Sequence, residues 1–190
     1  GERTRLALLK CAGLLHDIGM CVVPASDRSS VAIEDRGADA SRQLARAWRC
    51  SNVEGSFLET VVRVHAQAAG LIRQAALTRR AIYRYYRRTG ECGVDAVLVA
   101  LAHGLVEDHS DWSHQAEMSA ELIAAYLWRR DEMVQPKLLL TGQDLIEDFQ
   151  QSPGPHIGWL LERLEEAQAV GKVVTREQAV EVVRSWLHEL

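Results

Sequence analysis

Apolar residues return every three or four positions along most of this 190-residue chain, and alternating apolar–polar runs are short. The rhythm predicts helices over about residues 3–20, 37–49, 55–75, 78–89, 93–109, 114–134, 141–149, 155–170 and 175–189, so the expected fold is all-α. Several ends have their own chemistry. Gly90 follows Thr89 and suits the left-handed backbone that stops a helix. Thr141 and Thr175 stand where an N-cap hydroxyl is wanted, with Asp144 and Gln178 three residues on. Pro155 fits the first turn of the helix it opens, and Gly171 closes that helix.

Pro136 is the expected boundary between a larger helical domain, residues 1–135, and a small helical tail, residues 136–190. Charge sharpens the division. The formal net charge is −4, and the piece from Lys137 onward, with five basic and nine acidic residues, carries all of it. A composition of 47% hydrophobic and 25% charged residues allows a sizeable core. No apolar run reaches membrane-spanning length, and Gly1–Lys10 does not read as a signal peptide. That opening enters a helix at once, as if cut from something longer. Cys11, Cys21, Cys50 and Cys92 form no Cys-x-x-Cys pair, which speaks against a zinc ribbon or disulfide scaffold and for a reducing, cytoplasmic setting.

Two features carry candidate chemistry. His16 and Asp17 stand side by side in the apolar run Leu14–Met20, where burying two ionisable residues needs a reason. Imidazole and carboxylate bind divalent ions, and such an ion activates water against phosphorus. Successive helical residues diverge by about 100°, so both reach one ion only at the face between them, with partners from elsewhere. The second feature is cationic. Residues 60–90 hold seven arginines and no acid. Arg80, Arg84, Arg87 and Arg88 follow a spacing that lines them up on one helical stripe, where like charges repel. With Arg79 and the interleaved Tyr83, Tyr85 and Tyr86, the stripe suits phosphate contact and base stacking, and so RNA. The alternative is a solvated face paired with acids of other helices.

Leu14–Gly19 resembles the signature of the HD superfamily of metal-dependent phosphohydrolases. The resemblance implies an upstream His, the His16–Asp17 pair and a downstream Asp on a later helix. Any upstream ligand would precede Gly1. At the downstream position, after Ala100-Leu101-Ala102, the chain has His103, and His65 matches a place where relatives often carry a His pair. Met20 replaces the frequent Lys, and Ile33–Ala40 lacks the His of the corresponding family segment. The implied site is His16, Asp17, His65 and His103, with Asp17 as the catalytic ligand. It is either a degenerate remnant or a modified centre for Mg, Mn or Ni.

A longer resemblance starts in the tail. Gly142, Asp144-Leu145, Pro153-Gly154-Pro155, Ile157-Gly158, Leu160-Leu161, Gly171, Val173 and Thr175-Arg176-Glu177 follow the C-terminal pattern of the bacterial tRNA nucleotidyltransferase and poly(A) polymerase family. Arg79–Gly104 is also similar to that family, so the resemblance covers almost the whole chain. It implies an HD-like helical body and a tail that cradle tRNA. The family's catalytic head, with its Asp-x-Asp, would lie outside this chain, which has no Asp-x-Asp. The expected function is thus RNA (tRNA) binding, with Arg79, Arg80, Arg84, Arg87 and Arg88 meeting phosphate. The alternative is a metal-dependent phosphohydrolase acting on nucleotide phosphate esters.

Overall fold

The computed structural model describes residues 3–27, 29–107 and 111–188. Among these every regular element is helical. They are α1 (Arg5–Leu15), α2 (Ile18–Val22), a 3-10 turn (Ala25–Asp27), α3 (Ser30–Ala47), α4 (Asn52–Ile72), α5 (Arg79–Thr89) and α6 (Cys92–Glu107). α7 (Trp112–Trp128), a π-helical turn (Arg130–Val134), α8 (Gly142–Glu147), α9 (Pro155–Ala169) and α10 (Arg176–His188) follow. The expected ends at residues 109 and 189 lie outside the described residues. Three expectations are corrected. The helix expected over 3–20 breaks at His16–Asp17 into α1 and α2. α3 starts earlier than residue 37, because the Ser29 hydroxyl accepts from the Ala32 amide and caps it. The helix expected over 114–134 stops at Trp128, where Arg129 leaves helical geometry at φ −126°.

The chain divides into two units: Gly1–Leu77 with Arg88–Ile123, and Thr78–Arg87 with Ala124–Leu190. The second therefore takes in residues from both sides of Pro136.

In the first unit α4 is the axis. Leu58, Val61, Val62, His65, Ala68 and Ile72 recur at helical spacing and are buried. α1, α3 and α6 pack around α4, and a Ser51–Glu54 capping box fixes its start. Arg5 of α1 pairs with Asp95 of α6 at 2.6 Å. α2 approaches α3 so closely that a Cβ on Gly19 would collide with the carbonyl oxygen of Ile33. A Cβ on Gly37 would sit 3.1 Å from the Gly19 nitrogen.

The second unit is built on Leu140, Leu145, Leu160, Leu164, Val173, Ala179 and Val183, all buried in one cluster. Its turns are held by the residues singled out in the sequence. α9 ends in a Schellman motif. Lys172 N–H donates to the Ala167 carbonyl and Gly171 N–H to that of Gln168, both at 2.9 Å, with Gly171 at φ +78°. Arg79 Nε donates to the remaining Ala169 carbonyl at 3.0 Å. Thr175 and Gln178 cap α10 reciprocally.

Thr141 and Asp144 cap α8 in the same way, and Arg176 grips Asp144 Oδ1 at 2.6 Å. The Arg176 guanidinium, then the Thr141 hydroxyl and amide, hold the Asp144 carboxyl well below the usual carboxylate range. A carboxyl depressed on folding contributes stability that is complete above about pH 4, its ordinary value, and lost as pH falls through the folded one. Asp144→Ala is accordingly expected to melt below wild type at neutral pH, and the gap to close on acidification below about pH 4. Thermal melts across pH check this; a gap that stays constant or widens in acid would refute it.

Candidate functional site

The break between α1 and α2 makes the first candidate site. His16 caps α1 at φ −53°, ψ −38°, and Asp17 turns off at φ −99°, ψ 13°. The apolar run therefore does not bury the pair, as the sequence led one to expect. Leu14 itself is 83% exposed, the His16 side chain is 21% exposed and that of Asp17 51%. The helix ends where the pair begins, so both side chains reach water on one side and the unit on the other.

Asp17 Oδ2 lies 3.1 Å from His16 Nε2 and 3.7 Å from His103 Nδ1, and Oδ1 lies 3.7 Å from His65 Nε2. His16 Nε2 and His103 Nδ1 are 2.8 Å apart. The ring of His16 meets those of His65 and His103 edge-on, at centroid distances of 5.3 and 4.9 Å. The four residues expected as one site thus stand together. His16 and Asp17 come from the α1–α2 turn, His65 from the buried face of α4, and His103 from α6. Glu107, one turn after His103 on α6, was not foreseen; the four-residue spacing that puts both on one face was its only signal. Its Oε1 lies 3.1 Å from His103 Nε2, and Arg73 holds Oε2 at 2.6 Å.

The donor set decides what this cluster wants. His16 Nδ1–H donates to the Gly13 carbonyl at 2.8 Å and His65 Nδ1–H to that of Val62 at 2.7 Å. A carbonyl only accepts, so both rings carry hydrogen on Nδ1, and a neutral ring then has its lone pair on Nε2, the nitrogen nearest Asp17. Burial pushes the His65 imidazole down, and its neighbours His16 and His103 push it further, against the pull of the Val62 carbonyl and Asp17. His65 is thus favoured neutral. With both rings neutral, two imidazole lone pairs face the Asp17 carboxylate with few hydrogens to share. Such a set fits a divalent cation, and the closest three ligand atoms, from His16, Asp17 and His103, lie within 4.8 Å of one another.

The second candidate is the arginine stripe on α5. Arg80 and Arg84 pair with one carboxylate, Glu166 of α9, at 2.8 and 2.9 Å. Arg87 reaches Glu162 at 3.1 Å and Glu165 at 3.6 Å, and Arg79 pairs with Glu132 at 2.8 Å. Arg88 is exposed, and its charge acts on Glu34. The stripe is thus partly balanced by α9, though the side chains of Arg79, Arg80, Arg84 and Arg87 keep 38–62% of their surface open. Tyr83, Tyr85 and Tyr86 are buried, which takes them away from base stacking.

A family model described as tRNA nucleotidyltransferase domain 2 matches residues 32–183. Over 103 residues the chain is 33% identical to a CC-adding tRNA nucleotidyltransferase of Synechocystis sp., covering 54% of this chain and 23% of that protein. Over 191 residues it is 29% identical to an A-adding tRNA nucleotidyltransferase of Deinococcus radiodurans, covering 96% of this chain and 42% of that protein. The chain spans less than half the length of these curated relatives.

Proposed function

Because the chain belongs to the tRNA nucleotidyltransferase family, we propose that it is the part of such an enzyme that holds tRNA. The observation that carries this reading is the α5 stripe, where five arginines share one helix and two of them divide a single carboxylate. The relatives' names support tRNA as the partner, and a cytoplasmic setting goes with it. No single described helix is long and apolar enough to cross a membrane. Nucleotide addition is assigned to a head outside these residues, which contain no Asp-x-Asp.

The reading predicts steeply salt-dependent tRNA binding, because each neutralised phosphate releases counterions. Arg84→Glu/Arg88→Glu is expected to weaken binding at least about tenfold at low salt and to reduce the slope of log K against log salt by roughly 2. Fluorescence anisotropy with labelled tRNA reads both. Equal binding by the double variant would sink the reading.

The acceptor-rich cluster in the first unit favours a second reading, a metal-dependent phosphohydrolase acting on phosphate esters. His16, Asp17 and His103 would hold the ion, with His65 beside them. A bound divalent ion would activate water and polarise a phosphoryl oxygen. The chain's own groups orient the set. The Gly13 and Val62 carbonyls fix the tautomers of His16 and His65, and Glu107, held by Arg73, aligns the ring of His103.

A further inference from the structure

The second unit contains a cleft of about 380 Å³ between α5, α9 and α10. Its charged lining is Arg80, Arg84, Arg163 and Lys172 against Glu166 alone, and Trp186 forms part of its wall. Three of these cations are held by residues that themselves line the cleft. Glu166 holds Arg80 and Arg84. The Arg163 guanidinium stacks 4.3 Å over the Trp186 ring and 5.2 Å over Trp159. Lys172 is the residue whose amide closes the Schellman motif, so its backbone is fixed at the end of α9.

We propose that this cleft binds the phosphate group of a nucleotide. Guanidinium forks and an ammonium are the groups that recognise phosphate, and like charges gathered in one small space lose their mutual repulsion when a dianion enters. The volume lies at the small end of ligand sites, which run from about 300 to 1,000 Å³, and so suits one nucleotide rather than a folded RNA surface. Glu166 is the internal counter-ion that an incoming phosphate displaces from Arg80 and Arg84. A free nucleotide and one residue of an RNA strand offer the same chemistry. The proposal therefore does not depend on the chain holding tRNA.

Glu166 and Lys172 give the test opposite signs. Titration calorimetry of the full chain with adenosine monophosphate, a single-stranded RNA decamer and phosphate-free adenosine separates the sources. Glu166→Gln is expected to tighten binding about threefold or more, and Lys172→Glu to weaken it about tenfold, while adenosine does not bind. The pattern seen with adenosine monophosphate establishes a free-nucleotide site; seen with the decamer alone, it places one residue of a strand in the cleft. Circular dichroism melts verify that both variants fold. A Glu166→Gln variant that folds but binds more weakly, or a Lys172→Glu variant that binds as wild type, would overturn the proposal. In that event tRNA binding that still falls in Arg84→Glu/Arg88→Glu would leave the tRNA reading standing.

Discussion

Arg5→Ala is expected to lower the unfolding free energy by about 2 kcal/mol, among the largest losses from any single side chain outside the apolar core. Asp95 is the reason. Its side chain is only 5% exposed, and Arg5 meets it through two nitrogens, Nη2 at 2.6 Å and Nε at 3.2 Å. The hydrogen bond to Asp95 raises the Arg5 guanidinium further, so the arginine stays charged. Removing the arginine leaves a buried carboxylate without its ion-pair partner. A fully buried pair broken this way costs about 3–5 kcal/mol; Arg5 is half open to water, so solvent reaches the orphan and the loss is smaller. Arg5→Ala/Asp95→Ala, compared with the two single variants by denaturant unfolding, is expected to reveal a coupling of about 1 kcal/mol or more. Additive losses would refute the clamp. The same change should loosen the His16 cluster. Arg5 and Asp95 stand near the starts of α1 and α6, and His16 and His103 stand eleven and eight residues further on. The two helices thus run side by side in one direction, tied once at the start and once at the site.

Most helices were legible from spacing alone, and the tail most completely. Thr141, Asp144, Pro155, Gly171, Thr175 and Gln178 act through neighbours in sequence, and such caps can be read without a fold. What escaped was the break at His16. Nothing in Leu14–Met20 is a helix breaker placed before the pair, and the turn brings α2 against α3, an approach that only glycine at position 19 allows beside Ile33. The same holds for the chemistry. His16, Asp17, His65 and His103 were recognisable as residue types at a matching spacing. Glu107 becomes visible only once His103 turns it toward the ring. The arginine stripe was legible as a stripe, but its counter-ions come from α9, some 80 residues downstream, and no local pattern announces them.

Asp17→Ala is expected to weaken divalent-metal binding by the first unit at least about 100-fold, and His103→Asp to change which ion binds best. Asp17 is the only carboxylate among the three closest ligand atoms, so its loss leaves imidazoles alone. The side chain makes no cap hydrogen bond to α2 and is half exposed, so the variant should melt close to wild type. Lost binding would then report lost ligation, not lost folding. The wild-type donor set is rich in imidazole, which favours nickel over magnesium, because magnesium demands oxygen ligands in near-octahedral geometry. His103→Asp exchanges a neutral nitrogen for a charged oxygen. Calorimetric titration with nickel, manganese and magnesium should show nickel affinity falling and manganese and magnesium affinity rising in this variant. Glu107→Ala, which removes only the partner of His103 Nε2, should cost about tenfold, the usual effect of an outer-shell group. If wild type takes up none of the three ions, or if Asp17→Ala binds them as wild type does, the cluster is a set of hydrogen-bonded histidines and the phosphohydrolase reading is lost.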